Sequence, residues 1–133
     1  MKKKTLRIGI IGCGGMGRSA HVNGFYAHEP RVELVAACDI LPKRTQAVAD
    51  GGFPGIAQYT DYRELLKDPS IDAVDICTPN DLHSEIAVAA LKAGKHVFCE
   101  KPDAIDAKKA AAMRDAAEKA GKEIGRASCR ERV

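Results

Sequence analysis

A glycine-rich turn between an apolar strand and a helix constrains the fold of this chain more than any other segment. It reads Gly12-Cys13-Gly14-Gly15-Met16-Gly17 and follows a predicted strand at Leu6–Ile11. Such a turn directs backbone N–H groups and the positive end of a helix dipole at one point, which suits a pyrophosphate. Gly12 permits the tight turn, Gly14 lets the backbone approach the phosphates, and Gly17 lets the helix pack on the strand. We therefore expect all six residues of the turn to contact a dinucleotide.

An acidic residue closes the next predicted strand at the distance that such a turn requires. The strand Val32–Cys38 is mainly apolar and is followed by Asp39, whose carboxylate can accept hydrogen bonds from adenosine ribose hydroxyls. It would repel a 2′-phosphate, since two unit charges about 4 Å apart cost roughly 4 kcal/mol at an effective dielectric of about 20. NAD is therefore favoured over NADP. Two alternatives stay open: Lys43 and Arg44 could hold a phosphate, and Asp39 could be a turn residue.

Strands and helices alternate along the rest of the sequence. Further strands are predicted at Gly55–Gln58, Ala73–Cys77 and His96–Cys99, and helices at Met16–His28, Lys43–Ala49, Asp61–Leu66, Leu82–Ala93 and Asp106–Ala120. Helical connections force the strands to run parallel, and right-handed crossovers then give a doubly wound α/β sheet with strand order 3-2-1-4-5. In this order the glycine turn faces Thr78-Pro79-Asn80 across one crevice at the carboxyl edge of the sheet.

The composition describes one globular domain and excludes several classes of function. The 133 residues are 45% apolar and 29% charged, with a net charge of +3. No basic run is interleaved with aromatic residues and no apolar segment has membrane length, so we expect neither a nucleic-acid nor a membrane partner. A cytoplasmic protein is the default expectation.

The five cysteines form no C-x-x-C pair, which argues against a zinc module or a redox motif. Four of them end or follow predicted strands and would gather along one edge of the sheet: Cys13, Cys38, Cys77 and Cys99. This placement predicts small apolar packing beneath a cofactor, with a metal cluster or a redox switch as the alternative. We predict no metal site.

The motifs, taken in order, resemble the N-terminal domain of the glucose-fructose oxidoreductase, inositol dehydrogenase and rhizopine-catabolism group, called Gfo/Idh/MocA. The resemblance covers residues 6–122 and rests on the glycine turn, Val35–Asp39, Ile71–Ile76, Thr78-Pro79-Asn80 with His83, Ala93–Val97 and Glu100-Lys101-Pro102. It implies a Rossmann-type domain of an NAD(P)-dependent dehydrogenase. Such an enzyme transfers hydride between nicotinamide and a sugar, an inositol or a related polyol.

The resemblance also implies roles for individual residues. Thr78, Pro79, Asn80 and His83 would contact the ribose and nicotinamide side of the cofactor; without the resemblance, Asn80 or Asp81 would be a helix N-cap. Lys101 would be catalytic, because it would face the substrate and manage the hydroxyl proton. Glu100 would position the cofactor or the lysine. His21 matches a family position, and its role stays open.

The end of the sequence departs from the family. The second domain of the family, which builds the substrate site and usually the oligomer interface, has no counterpart in these residues. Residues 124–133 read IGRASCRERV, alternate too poorly for a sixth strand, and resemble the translation of a sequencing-library adapter. We expect a dinucleotide-binding domain at residues 1–123 and a non-native tail at 124–133, with a genuine basic tail as the alternative.

Such a fragment would be a monomer that binds cofactor without completing the reaction, whereas its full-length parent would be a homo-oligomer. A different class of function is a stand-alone NAD-binding sensor or interaction module. A methyltransferase that binds S-adenosylmethionine is a third hypothesis, against which the Gly17 spacing and Glu100-Lys101-Pro102 argue.

Overall fold

A parallel six-stranded sheet organises the residues that the structure describes. The computed structural model describes residues 5–14, 22, 26–78, 82–100, 107–122 and 124–127. The strands are β1 (Leu6–Ile11), β2 (Val32–Cys38), β3 (Ala57–Tyr59), β4 (Ala73–Ile76), β5 (His96–Glu100) and β6 (Ile124–Ala127). They lie in the order β3-β2-β1-β4-β5-β6 and all pair in parallel. The doubly wound sheet with order 3-2-1-4-5 is thereby confirmed.

Helices connect successive strands, as parallel pairing requires. They are α1 (Pro42–Asp50), α2 (Tyr62–Leu66), α3 (His83–Lys92) and α4 (Ala107–Ala120). Each matches a predicted helix, whereas the helix predicted at Met16–His28 lies mostly outside the described residues. In the described ranges, no helix combines the length and the hydropathy needed to cross a membrane.

The sheet buries side chains on both faces, which explains why its central strands are nearly all apolar. One face packs against α2, α3 and α4, where Leu65, Ile86, Leu91 and Met113 belong to the same buried cluster as Val74 of β4. The other face packs against α1 and two side chains of the preceding connection, Val22 and Tyr26. The two layers leave the carboxyl ends of β1, β2 and β4 side by side at one edge.

The poor alternation after residue 123 led us to expect no sixth strand, and this prediction is wrong. β6 pairs with β5 in a regular register, from Val97 opposite Ile124 to Glu100 opposite Ala127. An edge strand takes its register from the backbone ladder and from the helix that delivers it, so it forms without a strict apolar pattern. The adapter origin of residues 124–133 stays a prediction, which sequencing of the intact gene tests.

A buried lysine closes the opposite, amino-terminal edge of the sheet. Lys95 is only 5% exposed, and its Nζ donates to the carbonyl oxygens of Asp68 at 2.7 Å and Ile71 at 2.8 Å. Burial lowers the pKa of Lys95, although the carboxylates of Asp68 and Asp72 oppose that shift. The ammonium group therefore ties the turn before β4 to the start of β5.

Replacing Lys95 by Met should lower the free energy of unfolding by about 1–3 kcal/mol, because two carbonyls lose a charged donor. Urea unfolding followed by circular dichroism measures the change. Lys92→Met, at an exposed position near the end of α3, is the matched control and should stay within about 0.5 kcal/mol of the wild type. Equal stability of the two variants would contradict the proposed tie.

Candidate cofactor site

The glycine turn begins where β1 is held by both of its neighbours. The Gly12 N–H donates to the carbonyl oxygen of Cys38 at 2.8 Å, and the Cys77 N–H donates to the carbonyl oxygen of Ile11 at 2.7 Å. Gly12 has a φ of +98°, and a Cβ built on it would lie 2.7 Å from the carbonyl carbon of Cys77. Only glycine fits this turn, because any side chain would clash with the backbone after β4 and strain its own.

Asp39 joins the ends of β1 and β2 through its buried carboxylate. Oδ2 accepts from the Cys13 N–H at 2.9 Å, and Oδ1 accepts from the Leu41 N–H at 2.9 Å. The second bond gives Asp39 the role of a turn residue, which was the alternative interpretation of Asp39 from the sequence. A carboxylate has about four lone-pair sites, so two backbone bonds leave acceptor capacity on both oxygens. Asp39 can therefore hold the turn and still accept from a ligand hydroxyl.

A cavity of about 320 Å³ opens at the carboxyl edge of the sheet, between the two loops that the sequence placed across one crevice. Its lining combines the glycine turn, the end of β2, the residue after β3 and the start of α3, and consists of Ile11, Gly12, Gly14, Cys38, Asp39, Ile40, Arg44, Thr60, Tyr62, Cys77, Thr78, Leu82 and Ile86. The predicted shared crevice is therefore present, with glycine backbone and the Asp39 carboxylate in the same hollow.

Arg44 of α1 reaches over the glycine turn toward Asp39. Its Nη1 lies 3.7 Å from Asp39 Oδ2, and a Cβ built on Gly14 would lie 3.5 Å from the same nitrogen. Among the described residues, an added Cβ at Gly14 thus meets only the Arg44 side chain, at ordinary contact distance. Gly14 differs from Gly12 in this respect, because no described backbone atom lies in the way of a side chain there.

The segment after β4 forms the facing wall. Thr78 is half-buried and lines the cavity with Leu82 and Ile86. Helix α3 begins at His83 with Leu82 at the N-cap position, whereas Asn80 and Asp81, the alternative cap residues, lie outside the described residues.

Several predicted site residues lie wholly or partly outside the described residues. The residues that lie wholly outside are Gly15, Met16, Gly17, Pro79, Asn80, Lys101 and His21, whose role the sequence left open. For His83 and Glu100 the structure describes the backbone alone, which places them at the start of α3 and the end of β5. The roles of all these residues stay predictions.

Tyr62 of α2 lines the cavity. It was not among the predicted site residues. Its phenol donates to Glu85 Oε2 at 3.2 Å, which links α2 to α3. Burial, followed by the nearby Glu85 carboxylate, raises the pKa of Tyr62, so the phenol stays a donor. Thr60, Ile40 and Leu82 were missed as well. All four follow strands that end at this edge, which is the signal that could have identified them.

A buried polar cluster lies near the carboxyl end of β4, on the face of the sheet that packs against α1. Asp75 of β4 is fully buried and accepts from the Tyr26 hydroxyl at 2.6 Å and from Cys77 Sγ at 3.5 Å. Burial, together with the Asp75 charge, raises the pKa of Tyr26. The cluster connects the segment after the glycine turn to the strand that carries Thr78.

Three of the four cysteines predicted at the carboxyl edge, Cys13, Cys38 and Cys77, lie there; of Cys99 the structure describes the backbone alone, in β5. Cys13 and Cys38 are buried, and Cys77 is half-buried. Cys13 Sγ points at the carbonyl oxygen of Cys38 at 3.5 Å, while its amide is engaged by Asp39. Cys13 is not among the described residues that line the cavity, and its contact with a dinucleotide stays a prediction. Within the described ranges, no three potential metal ligands converge.

The comparison with known proteins identifies the family. The model of an oxidoreductase family with an NAD-binding Rossmann fold, Gfo/Idh/MocA, matches residues 6–127. The chain belongs to this family. An inositol 2-dehydrogenase/D-chiro-inositol 3-dehydrogenase of Lactiplantibacillus plantarum is 38% identical over 118 residues, which are 89% of this chain and 33% of that protein. The methyltransferase hypothesis is excluded.

Solved structures with the same fold include proteins that hold either dinucleotide. A scyllo-inositol dehydrogenase of Lactobacillus casei with bound NAD(H) and scyllo-inositol has a TM-score of 0.84 and 27% identity, and the match covers 92% of this chain and 36% of that one. A 3-ketoreductase of Actinomadura kijaniata with NADP has a TM-score of 0.86 and 28% identity over 92% of this chain and 38% of that one. The chain spans about a third of the length of the relatives it matches.

The two glycines of the turn should respond differently to alanine. Gly12→Ala should lower the free energy of unfolding by about 3 kcal/mol, since it adds strain at positive φ and a backbone clash. Gly14→Ala should leave the stability within about 1 kcal/mol of the wild type and weaken dinucleotide binding instead. Urea unfolding and NADH titration of both variants test this pairing. A stable Gly12→Ala protein would contradict the close approach to Cys77.

The Cys38 thiol should resist alkylation in the folded chain. Burial, with the Asp39 charge beside it, raises the pKa of Cys38 from 9.0 to about 12. Since the thiolate is the nucleophile, reaction with iodoacetamide between pH 8 and 10 should stay slow at Cys38 and become fast once urea unfolds the chain. Peptide mass spectrometry at several times measures the rate, with half-buried Cys77 as the internal comparison. Equal rates at both cysteines would contradict this protection.

Proposed function

We propose that this domain binds NAD in the cavity between the glycine turn and the loop after β4, as the cofactor-binding part of a dehydrogenase. The observation that carries the proposal is the shared lining: glycine backbone, a carboxylate and an apolar wall meet in one hollow of about 320 Å³. At Gly14 no described backbone atom would obstruct a side chain, which supports a ligand as the reason for the small size of this residue. The residues present therefore fit a dinucleotide.

The adenosine half matches the lining in polarity. Asp39 would accept from the ribose hydroxyls with its remaining lone pairs. Ile40 is 81% exposed, and such an isolated apolar side chain beside a carboxylate suits the face of an adenine ring. Leu82 and Ile86 would bound the same ring from α3. The glycine turn, including Gly15, Met16 and Gly17, would receive the pyrophosphate through its amides.

The parent enzyme would oxidise a secondary alcohol of a sugar, an inositol or a related polyol, as the names of the relatives suggest. Bound NAD supplies the hydride acceptor for this reaction. Lys101, which follows the end of β5, would hold the hydroxyl proton by charge and hydrogen bonding. Thr78, Pro79, Asn80 and His83 would orient the nicotinamide side, and Glu100 would position the lysine or the cofactor. Since this chain spans a third of its relatives, we propose these steps for the longer parent.

We also propose that the parent works in the cytoplasm as a homo-oligomer and that this fragment is a monomer. Support for the compartment comes from the buried thiol of Cys38, because reduced thiols persist in reducing compartments. The oligomer follows from the family resemblance alone.

Titration of the 133-residue chain with NADH, followed by fluorescence, tests the proposed binding. We expect saturable binding below millimolar cofactor. Asp39→Asn should weaken it about tenfold, the effect of one hydrogen bond to a charged group. Asp50→Asn, at the exposed far end of α1, removes the same charge and should leave the affinity unchanged. A folded chain without binding at millimolar NADH would refute the function.

A further inference from the structure

Asp75 is a charged residue at the centre of an apolar sheet, and no step of the proposed reaction uses it. It lies on β4 between Ile10 of β1 and Phe98 of β5, and it is fully buried. Burying a carboxylate is costly, and an apolar residue of similar volume is often neutral or stabilising at such a position. Packing alone therefore does not explain an aspartate here.

The two carboxylate oxygens of Asp75 receive donors from different parts of the chain. Oδ2 accepts from the Tyr26 hydroxyl at 2.6 Å, and Oδ1 accepts from the Cys77 thiol at a sulfur–oxygen distance of 3.5 Å. Tyr26 belongs to the connection between β1 and β2 and packs in the buried cluster of that face. Burial, together with the Asp75 charge, raises the pKa of Tyr26, so the phenol stays a donor. The carboxylate is thus braced by one donor while it holds the other.

Cys77 is the residue through which this cluster reaches the cavity that it lines with Gly12 and Thr78. Its N–H donates to the carbonyl oxygen of Ile11 at 2.7 Å, and its carbonyl carbon would lie 2.7 Å from a Cβ on Gly12. A cysteine side chain has three staggered positions about χ1, and the bond to Asp75 selects one of them. The backbone and the side chain of Cys77 are therefore both fixed, and with them the wall opposite the glycine turn.

We propose that Asp75 is a positioning residue of the dinucleotide site: braced by Tyr26, it holds Cys77 and so fixes the wall of the cavity opposite the glycine turn. This inference rests on the proposed function, because the wall belongs to the same cavity. Asp75 is not among the described lining residues, so it acts through Cys77 rather than on the ligand. Since the connection that carries Tyr26 starts with the glycine turn, the carboxylate also ties the two walls to each other.

Titration of NADH into the 133-residue chain, followed by fluorescence, tests the inference with two substitutions of Asp75. Asp75→Val introduces a residue that suits a buried strand, and it should raise the dissociation constant at least about tenfold because the Cys77 thiol loses its acceptor. Asp75→Asn keeps the shape, and its amide can accept from the phenol and donate to the sulfur. It should therefore restore the affinity to within about threefold of the wild type.

Tyr26→Phe removes one hydroxyl and leaves the aromatic ring in the core. It should raise the dissociation constant for NADH at least about threefold, because the carboxylate loses its brace. Lys95→Met is the matched control, since it removes a buried polar group at the opposite edge of the sheet. Its effect on the affinity should stay below about twofold, as expected for distant sites.

The alkylation rate of Cys77 reports its contact with Asp75 directly. In Asp75→Asn the charge beside the thiol is absent, so the thiolate forms more readily and iodoacetamide at pH 8 should react at least about threefold faster. Lys95→Met should leave this rate within about twofold of the wild type.

Four outcomes would overturn the inference. If folded Asp75→Val or Tyr26→Phe binds NADH as tightly as the wild type, the cluster does not position the wall. If Asp75→Asn binds as weakly as Asp75→Val, the shape and hydrogen bonds of the side chain are not what matters. If Lys95→Met weakens NADH as much as Tyr26→Phe, the loss reflects stability. If the Cys77 rate is the same in Asp75→Asn and the wild type, the carboxylate does not hold the thiol.

Circular dichroism of each variant verifies that the fold is retained. Should Asp75→Val not fold, Tyr26→Phe decides the inference, because it changes a single hydroxyl. A wild type that does not bind NADH refutes the proposed function itself. The Cys77 rate still reports the contact with Asp75 in that case, so the two failures are distinguishable.

Discussion

The close backbone approach at Gly12 is the constraint on which the rest of this structure depends. At that point β1 hydrogen-bonds to the end of β2 on one side and to the residue after β4 on the other. The two neighbours can come this near only because residue 12 has no side chain. Since the neighbours of β1 end at the same level, the loops that follow them open into one cavity. The site is thus a direct result of the pairing at the centre of the sheet.

Asp39 extends this arrangement from the sheet to the site. Its carboxylate holds an amide of the glycine turn and an amide at the start of α1, which keeps both segments in place without a ligand. The same group has unused acceptor capacity toward the cavity. A residue that could be either a turn residue or a ligand contact therefore has the geometry for both. The two interpretations of the sequence were not exclusive, because a carboxylate has more acceptor sites than one role requires.

The apolar parts of the site come from elements that are distant in the sequence. Ile40 follows β2, Tyr62 belongs to α2, and Leu82 and Ile86 lie at the start of α3. The Tyr62–Glu85 bond fastens α2 to α3, and on the other face of the sheet the Tyr26–Asp75 bond fastens the connection before β2 to β4. Family membership and the shared fold agree with this arrangement.

The sequence by itself determined the strand order of the first five strands, the glycine turn and the carboxylate after β2. These features depend on local spacing and on the rule that helical connections make neighbouring strands parallel. Only the tertiary structure decided that β6 forms against β5, that Asp39 engages the Cys13 amide, and that Arg44 lies over Gly14. Each of these contacts joins segments whose distance depends on how the loops pack. A pattern along one strand or helix carries no information about a neighbour that the sheet brings alongside.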